Sequence, residues 1–343
     1  MTIKTAIIGY GFSAKTFHLP FIEALDQFEL SAISTSQTPD AYLIDRQVTV
    51  YETADQLIDD SDAELIIITA PNDSHFRLAE RCLNNKKHVI VEKPFVITSN
   101  QGKILSALAI KNDLKLSVYQ NRRWDGDFLT LQNLIETNTC GDIKYFESHF
   151  DRFRPQVQDR WREKAVVGGG ILYDLGPHLI DQALVLFGAP QAITARCLEL
   201  RKNAQVTDYF HIQLHYPGLE VVLQASPYSA GPNLRFQLQG TKGSYVKYGL
   251  DPQEGRLKEG ILPNDPTWSQ ESPEAFGTYY DGETANPVIT LPGGYQIFFE
   301  KMHDAIKNNQ PVPVDPEHNT VVIQLIELAL ESSHRGQTLT FEI

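Results

Sequence analysis

Cysteine is scarce in this chain of 343 residues, limited to Cys82, Cys140 and Cys197. The three share no short spacing, which excludes a disulfide framework or a paired-thiol zinc site and fits reduced thiols that pack like small hydrophobes in a cytosolic protein. Positive charge is also in deficit. Thirty Lys and Arg stand against 43 Asp and Glu, a formal net charge of -13. Such a field repels phosphate, so nucleic acid and anionic membrane are poor partners and any anionic ligand needs a local site. Long apolar runs are missing as well. No stretch approaches the roughly 20 residues of a membrane span, and the short run in MTIKTAIIGYG meets glycine too early for a secretion signal. The expectation is a soluble, cytoplasmic protein.

What the chain does have is core. Its apolar content is 42%, and its length exceeds what one core usually supports, which predicts two domains. In the first third, short runs rich in Ile, Val and Leu (KTAIIGYG, FELSAIST, VTVY, AELIIITA, KHVIVEKP, LKLSVYQN) alternate with stretches of helical periodicity such as SHFRLAERCLNN. Continuous apolar strands between helices predict a doubly wound parallel sheet over residues 1–121. After a further helix the texture changes. DIKYFESHF, AITARCLEL, DYFHIQLHYP, LEVVLQAS, RFQLQG and GSYVKYG follow one another, several with period-two alternation, and predict a large, mostly antiparallel open sheet in an α+β domain over 122–343. Residues 251–287, rich in Pro, Gly and acids, read as a long excursion, and two amphipathic helices close the chain. A half-buried sheet of this kind suggests a homo-oligomer that associates through it.

The segment IIGYGFSA places Gly9, Gly11 and Ala14 directly after the first strand and at a helix start. In a G-x-G-x-x-A turn the first Gly permits the turn, the second lets the backbone approach a pyrophosphate, and the small third residue lets helix and strand pack. Phe12 and Ser13 lie between them, and the pyrophosphate would rest on helix N-terminal N–H groups, the local anion site that an acidic protein requires. The second strand ends in Ser34, Thr35 and Ser36, where an NAD site usually carries an acid. Neutral hydroxyls remove repulsion toward a 2′-phosphate and favour NADP; the lack of an Arg among them leaves NAD open, with Lys15 and Arg46 as other sources of positive charge.

Chemistry is signalled at two further places. VIVEKPF ends the fifth strand, and strand carboxyl ends open onto the ligand crevice of such a sheet, so Lys93 would aim an ammonium there with its backbone restricted by Pro94; an exposed loop lysine is the competing reading. The segment GGGILYDLGPH puts Asp174 four residues before His178, on one helical face, although Pro177 is tolerable only in a first turn or at a kink. Asp174 and His178 as a metal pair would lack a third ligand at compatible spacing, so no metal is expected.

With the glycine turn, EKP and GGGILYDLGPH in this order, the chain resembles the Gfo/Idh/MocA family of nicotinamide-dependent oxidoreductases over its whole length. NRRWDGDFLTL, ESHFDRFRP, DRWRE and YVKYGLDPQE are similar to a branch that includes NADP-dependent scyllo-inositol dehydrogenases. The resemblance implies an N-terminal Rossmann domain and a catalytic set of Lys93, Asp174 and His178. It also places Pro71, Asn72, His75, Glu92, Asn121 and Arg122 beside the cofactor. His75 fits equally well as a packing residue at a helix start. Arg152 and Trp161 are candidates to line a polyol pocket, with Tyr145, His149 and Arg160 in the same region. Oxidation of a secondary alcohol needs a base near neutral pKa and a group that stabilises alkoxide, which His178 and Lys93 would supply. The three glycines would let the backbone lie against cofactor and substrate. A dinucleotide-sensing or carbohydrate-binding regulator on the same fold is the non-catalytic alternative.

Overall fold

Six strands build the first sheet of the computed structural model, which describes residues 2–342 apart from the side chain of Trp161. They are β1 (Ile3–Ile8), β2 (Phe28–Ser34), β3 (Thr49–Tyr51), β4 (Leu65–Ile68), β5 (His88–Val91) and β6 (Leu116–Val118), in the order β3-β2-β1-β4-β5-β6, and every pairing is parallel. β4 is LIII and buried throughout, as expected of a strand covered on both faces. The connecting helices are α1 (Leu19–Ala24), α2 (Ala41–Asp45), α3 (Ala54–Asp60), α4 (His75–Asn84) and α5 (Ser99–Lys111). α3 and α5 each begin with a Thr-x-x-Gln capping box, from Thr53 to Gln56 and from Thr98 to Gln101, in which side chains satisfy N–H groups that the first turn leaves unpaired.

The second sheet has nine strands in the order β14-β13-β12-β11-β7-β10-β9-β8-β15. These are β7 (Ile143–His149), β8 (Ala192–Leu198), β9 (Tyr209–Tyr216), β10 (Leu219–Ala225), β11 (Leu234–Gly240), β12 (Ser244–Tyr248), β13 (Gly277–Tyr280), β14 (Ala285–Val288) and β15 (Leu339–Thr340). Only β7 and β10 pair in parallel. In β9, Phe210, Ile212 and Leu214 are buried while Tyr209, His211, Gln213 and His215 are half-buried, so the period of two read from YFHIQLHY is the period of the pleat. α6 (Gly126–Glu136) and α7 (Ile171–Phe187) belong with this sheet. The chain then adds α8 (Gln253–Lys258), α9 (Gln296–Asn308) and α10 (Pro316–Arg335).

Two compact units result, and the second is not the unbroken 122–343 expected. Residues 253–268 and 295–320 belong with 1–121, while 122–252, 269–294 and 321–343 form the other unit. The reason is aromatic packing. Trp268, Tyr295 and Phe299 close around Phe21 at centroid distances of 5.9, 6.5 and 5.2 Å, and Phe298 meets Tyr119 at 4.9 Å. The edge strand β6 is also covered: Ser117 Oγ donates to the Val314 carbonyl at 2.9 Å and Gln120 to Asn319 at 3.0 Å. Residues 251–287 are more ordered than their composition suggests, since they hold α8 and the β13–β14 hairpin. The short strand ANPV carries no alternation by which sequence could have marked it. No helix among the described residues is long and apolar enough to cross a membrane.

Candidate active site

Gly9 turns the chain out of β1 with φ of +93°. A Cβ there would lie 2.9 Å from Thr69 Oγ1 and 3.2 Å from the Thr69 carbonyl carbon, so both conformation and space demand glycine. Gly11 differs: a Cβ on it would meet nothing within 4 Å. The outer side of the turn is therefore open, which is where a diphosphate could approach the backbone, and the residues present fit a dinucleotide. Ala14 is fully buried, and Phe12 is 59% exposed, edge-on to Phe17 at 5.8 Å. The helix that follows opens as a wide π-type turn over Ala14–His18 before α1. Pro20, in the first turn of α1, has no N–H to continue a regular ladder backwards.

The three hydroxyls expected at the end of β2 do not act alike. Ser34 is 4% exposed, while its carbonyl accepts the Gly9 N–H at 3.0 Å. Thr35 Oγ1 accepts the Gln37 N–H at 3.0 Å, and Ser36 is exposed. A 2′-phosphate could therefore meet Thr35 and Ser36, and Ser34 only through movement. Lys15 lies 2.9 Å from Asp40, and Arg46 lies 2.6 Å from Glu23, so both outlying cations already have carboxylate partners.

Beyond β4, Pro71 is exposed and Asn72 half-buried at the start of a short 3-10 turn. His75 has the burial of the packing residue that was the other reading of this position. It is 1% exposed, with Nδ1 at 2.9 Å from the Pro94 carbonyl and Nε2 at 2.9 Å from the Ala70 carbonyl. Burial holds its pKa below the ordinary value despite the two carbonyls, so the neutral ring donates its single N–H to one of them and packs against the other.

β5 delivers Glu92, Lys93 and Pro94, with a cis bond between the last two. Glu92 is buried and turned inward. Its Oε1 accepts from Ser13 Oγ of the glycine turn and lies 2.9 Å from His18 Nε2, while its Oε2 accepts the Lys93 main-chain N–H at 3.1 Å. Burial favours the protonated acid, but the bonds from His18 and Ser13 outweigh it and hold the carboxyl below its ordinary pKa. His18 is fully buried, with the Tyr119 ring 4.4 Å away and no hydrogen-bond partner for Nδ1 among the described residues. An orphan of this kind costs about 1–3 kcal/mol. Sequence reading missed His18 because a histidine inside an apolar helix pattern carries no motif. Lys93 itself is half-buried, and Asn121 is 6% exposed.

In the second unit, the glycines before α7 serve their own chain rather than leaving room for a ligand. Gly168 and Gly170 have φ of +74° and +87°. A Cβ on Gly169 would lie 2.9 Å from the Lys164 carbonyl oxygen, and one on Gly170 would lie 2.8 Å from that of Thr207. The run folds the 162–170 loop tightly so that Ile171 N–H reaches the Thr207 carbonyl at 2.7 Å and the helix can start. α7 then continues through Pro177. Gly176 makes this tolerable, because the ring of a proline in a helix clashes with the Cβ of the preceding residue and glycine has none. Asp174 and His178 thus lie one turn apart on a continuous helix; Asp174 is 3.3 Å from Arg162, and His178 is 4% exposed.

One turn further, Asp181 takes a two-point bond from Arg123, at 2.8 and 2.7 Å. Beside it, Gln182 donates to the Arg122 carbonyl at 2.9 Å and accepts from Arg235 at 2.8 Å. The helix that carries His178 is therefore fixed to the NRRW segment by buried, directional bonds. In the sequence Asn121 and Arg122 of this segment were singled out as cofactor neighbours, whereas Arg123, Asp181 and Gln182 were not. The Arg122 guanidinium is 3.3 Å from Asp125 and 4.8 Å from the Phe150 ring centre. The Arg152 guanidinium lies over the same ring, 5.2 Å from the Phe150 centre, and Arg160 is exposed. The Trp161 side chain lies outside the described residues.

His149 stands on the polar face of the sheet rather than at α7. Its ring is 2.9 Å from Asp151 and 2.6 Å from Glu147, and Tyr145 donates to Glu147 at 2.9 Å. Burial alone would lower the His149 pKa, but the two carboxylates raise it to about 9. No group of three or more His, Cys, Asp or Glu among the described residues is arranged to hold a metal ion.

An open glycine turn on a six-stranded parallel sheet, joined to a nine-stranded sheet unit, defines a dinucleotide-binding α/β protein. Comparison with known families makes the class specific. Residues 3–120 match the oxidoreductase family NAD-binding Rossmann fold, and 132–341 match the C-terminal alpha/beta domain of the same family. The chain belongs to the Gfo/Idh/MocA oxidoreductases. It is 44% identical to the Escherichia coli oxidoreductase YdgJ, with 98% of each chain covered. It is 38% identical to the Bacillus subtilis scyllo-inositol 2-dehydrogenase (NADP(+)) IolW, covering 99% of this chain and 96% of that one. The solved structure of the Bacillus subtilis oxidoreductase yvaA superposes with a TM-score of 0.95 at 37% identity, over 99% of each chain.

Proposed function

We propose that the protein transfers hydride reversibly between a ring secondary alcohol of a cyclic polyol or sugar, inositol-like in preference, and NADP. The observation that carries this reading is α7, where Asp174 and His178 are held one turn apart with the helix anchored from below by Arg123 and Asp181, in a chain whose EKP lysine follows strand β5. Bound nicotinamide supplies the hydride acceptor. His178 takes the hydroxyl proton, since an imidazole titrates near neutral pH. Lys93 donates to the substrate oxygen as it gains charge, and Asp174 orients the imidazole or binds a neighbouring hydroxyl. Gly9, Gly11, Phe12, Ser13 and Ala14 would hold the diphosphate, with Pro71, Asn72 and Asn121 lining the rest of the cofactor. Arg152 and Trp161 are the substrate-side candidates.

The preference for NADP rests on Thr35 and Ser36 in place of an acid after β2, and a relative named for NADP(+) and scyllo-inositol supports both choices. Other relatives are named for glucose 6-phosphate and D-apiose, which keeps sugars within the substrate class. The half-buried polar face of the nine-stranded sheet is the surface through which we expect copies of the chain to associate in the cytoplasm.

The test is reduction of NADP and of NAD, followed by nicotinamide absorbance, with a panel of inositol isomers and aldoses. Reduction of NADP by at least one cyclic polyol, faster than of NAD at equal concentration, is the expected result. Tight binding of NADP with no reduction by any polyol or sugar would replace the enzyme with a sensor.

A further inference from the structure

The Glu92 carboxylate joins two elements that a dinucleotide enzyme must keep in register. One oxygen faces Ser13 of the glycine turn and His18; the other takes the main-chain N–H of Lys93. A carboxylate bent inward in this way is not available as a cofactor contact. Its direction is set by His18, the larger and fully buried of its two side-chain donors. His18 is in turn fixed by Tyr119, whose ring lies 4.4 Å away and whose hydroxyl donates to the Phe17 carbonyl at 2.8 Å, and by Phe299 at 5.9 Å. Packing alone would be better served by an apolar side chain here, since Nδ1 is buried without a partner. The polar contact that the residue does make is the one to Glu92.

We propose that His18 is a positioning residue for Lys93, acting through Glu92, and that the same bond sets the glycine turn for the dinucleotide. The proposal rests on the reading of Lys93 as the group that meets substrate. Loss of the Nε2 donor frees the carboxylate to swing, and the glycine turn and the Lys93 main chain then lose their common anchor together. A residue that merely filled space would influence neither.

The experiment compares wild type with His18→Leu, His18→Asn and His18→Gln. Gln can place an amide N–H near the position of Nε2, whereas Asn reaches only the region of Nδ1. Two readouts are needed: the acetylation rate of Lys93 in the cofactor-free protein relative to surface lysines, measured by mass spectrometry, and the Kd for NADP. His18→Leu and His18→Asn are expected to shift the Lys93 rate by at least about 3-fold and to weaken NADP by about 5-fold or more, while His18→Gln stays within about 2-fold of wild type on both. If Leu fails to fold, the Asn and Gln pair decides the matter. Variants that lower only the melting temperature, or equal values for Asn and Gln, would overturn the positioning role. Failure of NADP to protect wild-type Lys93 from acetylation would instead overturn the placement of Lys93 at the site, a separable result.

Discussion

The two units hold their candidate catalytic side chains in opposite ways. In the first unit, Lys93 follows a parallel strand whose end is gripped from inside by Glu92, His18 and Ser13 and by the buried His75 ring against Pro94. In the second, Asp174 and His178 ride on a helix entered through a loop of positive-φ glycines and crossed by a proline, and the rigidity comes from below, through the pairing of Arg123 with Asp181. A strand end is fixed by its sheet and needs only local ties. A helix with an interrupted ladder needs an anchor elsewhere on its length, and one lies a turn beyond His178.

The most severe way to break this comparison is to remove one proposed catalytic group from each unit. Lys93→Met and His178→Ala are each expected to lower turnover by roughly 10²–10⁴ while NADP binding survives, measured by steady-state kinetics alongside a dinucleotide titration. Loss of NADP affinity from His178→Ala would show that the second unit serves binding rather than proton transfer. Next in size is Arg123→Ala, which removes the two-point partner of the buried Asp181 carboxylate. The expected loss is about 3–5 kcal/mol of stability, read by urea denaturation; Asp181→Asn keeps one acceptor oxygen for Arg123 and should lose less. Gly9→Ala tests the first unit in the same sense. With φ of +93° and Thr69 2.9 Å from the new Cβ, it should cost about 1–3 kcal/mol and weaken NADP, whereas Gly11→Ala, facing open space, should weaken NADP with little effect on melting.

The pattern of success in the sequence follows the same division. The parallel sheet was legible because AII of β1, LIII of β4 and VIV of β5 are continuous apolar runs, and the glycine turn because Gly9 and Gly11 come directly after the first of them. The Asp174 and His178 spacing was legible, but Pro177 argued against a continuous helix, and although Gly176 stands before it in the sequence, only the coordinates show that the helix runs on through both. His18, Arg123, Asp181 and Gln182 were not legible, because each acts through a partner tens of residues away and a single sequence does not show such pairings. The return of 253–268 and 295–320 to the first unit was hidden for the same reason, since Trp268 and Phe299 look like any other core aromatics until Phe21 is seen between them.

The smallest effect lies away from these side chains, on the polar sheet face. The His149 pKa is raised to about 9 by Asp151 and Glu147 against the effect of burial. A raised pKa means the folded state binds its proton more tightly than the unfolded state, so the stabilisation is full below about pH 6.5 and is lost as pH rises through about 9. Melting temperature should fall over that interval by an amount equivalent to about 1–3 kcal/mol, and His149→Gln should flatten the slope without altering turnover. An unchanged slope would remove the two carboxylates as its cause.

The account stands most directly on whether one hydroxyl is served from both units. A crystal structure of the protein with NADP and an inositol isomer that it oxidises measures this. Lys93 Nζ and a His178 ring nitrogen should both lie within hydrogen-bond distance of the hydroxyl on the carbon nearest nicotinamide C4. A substrate held by Lys93 alone, with the His178 ring facing a different cavity, would contradict it.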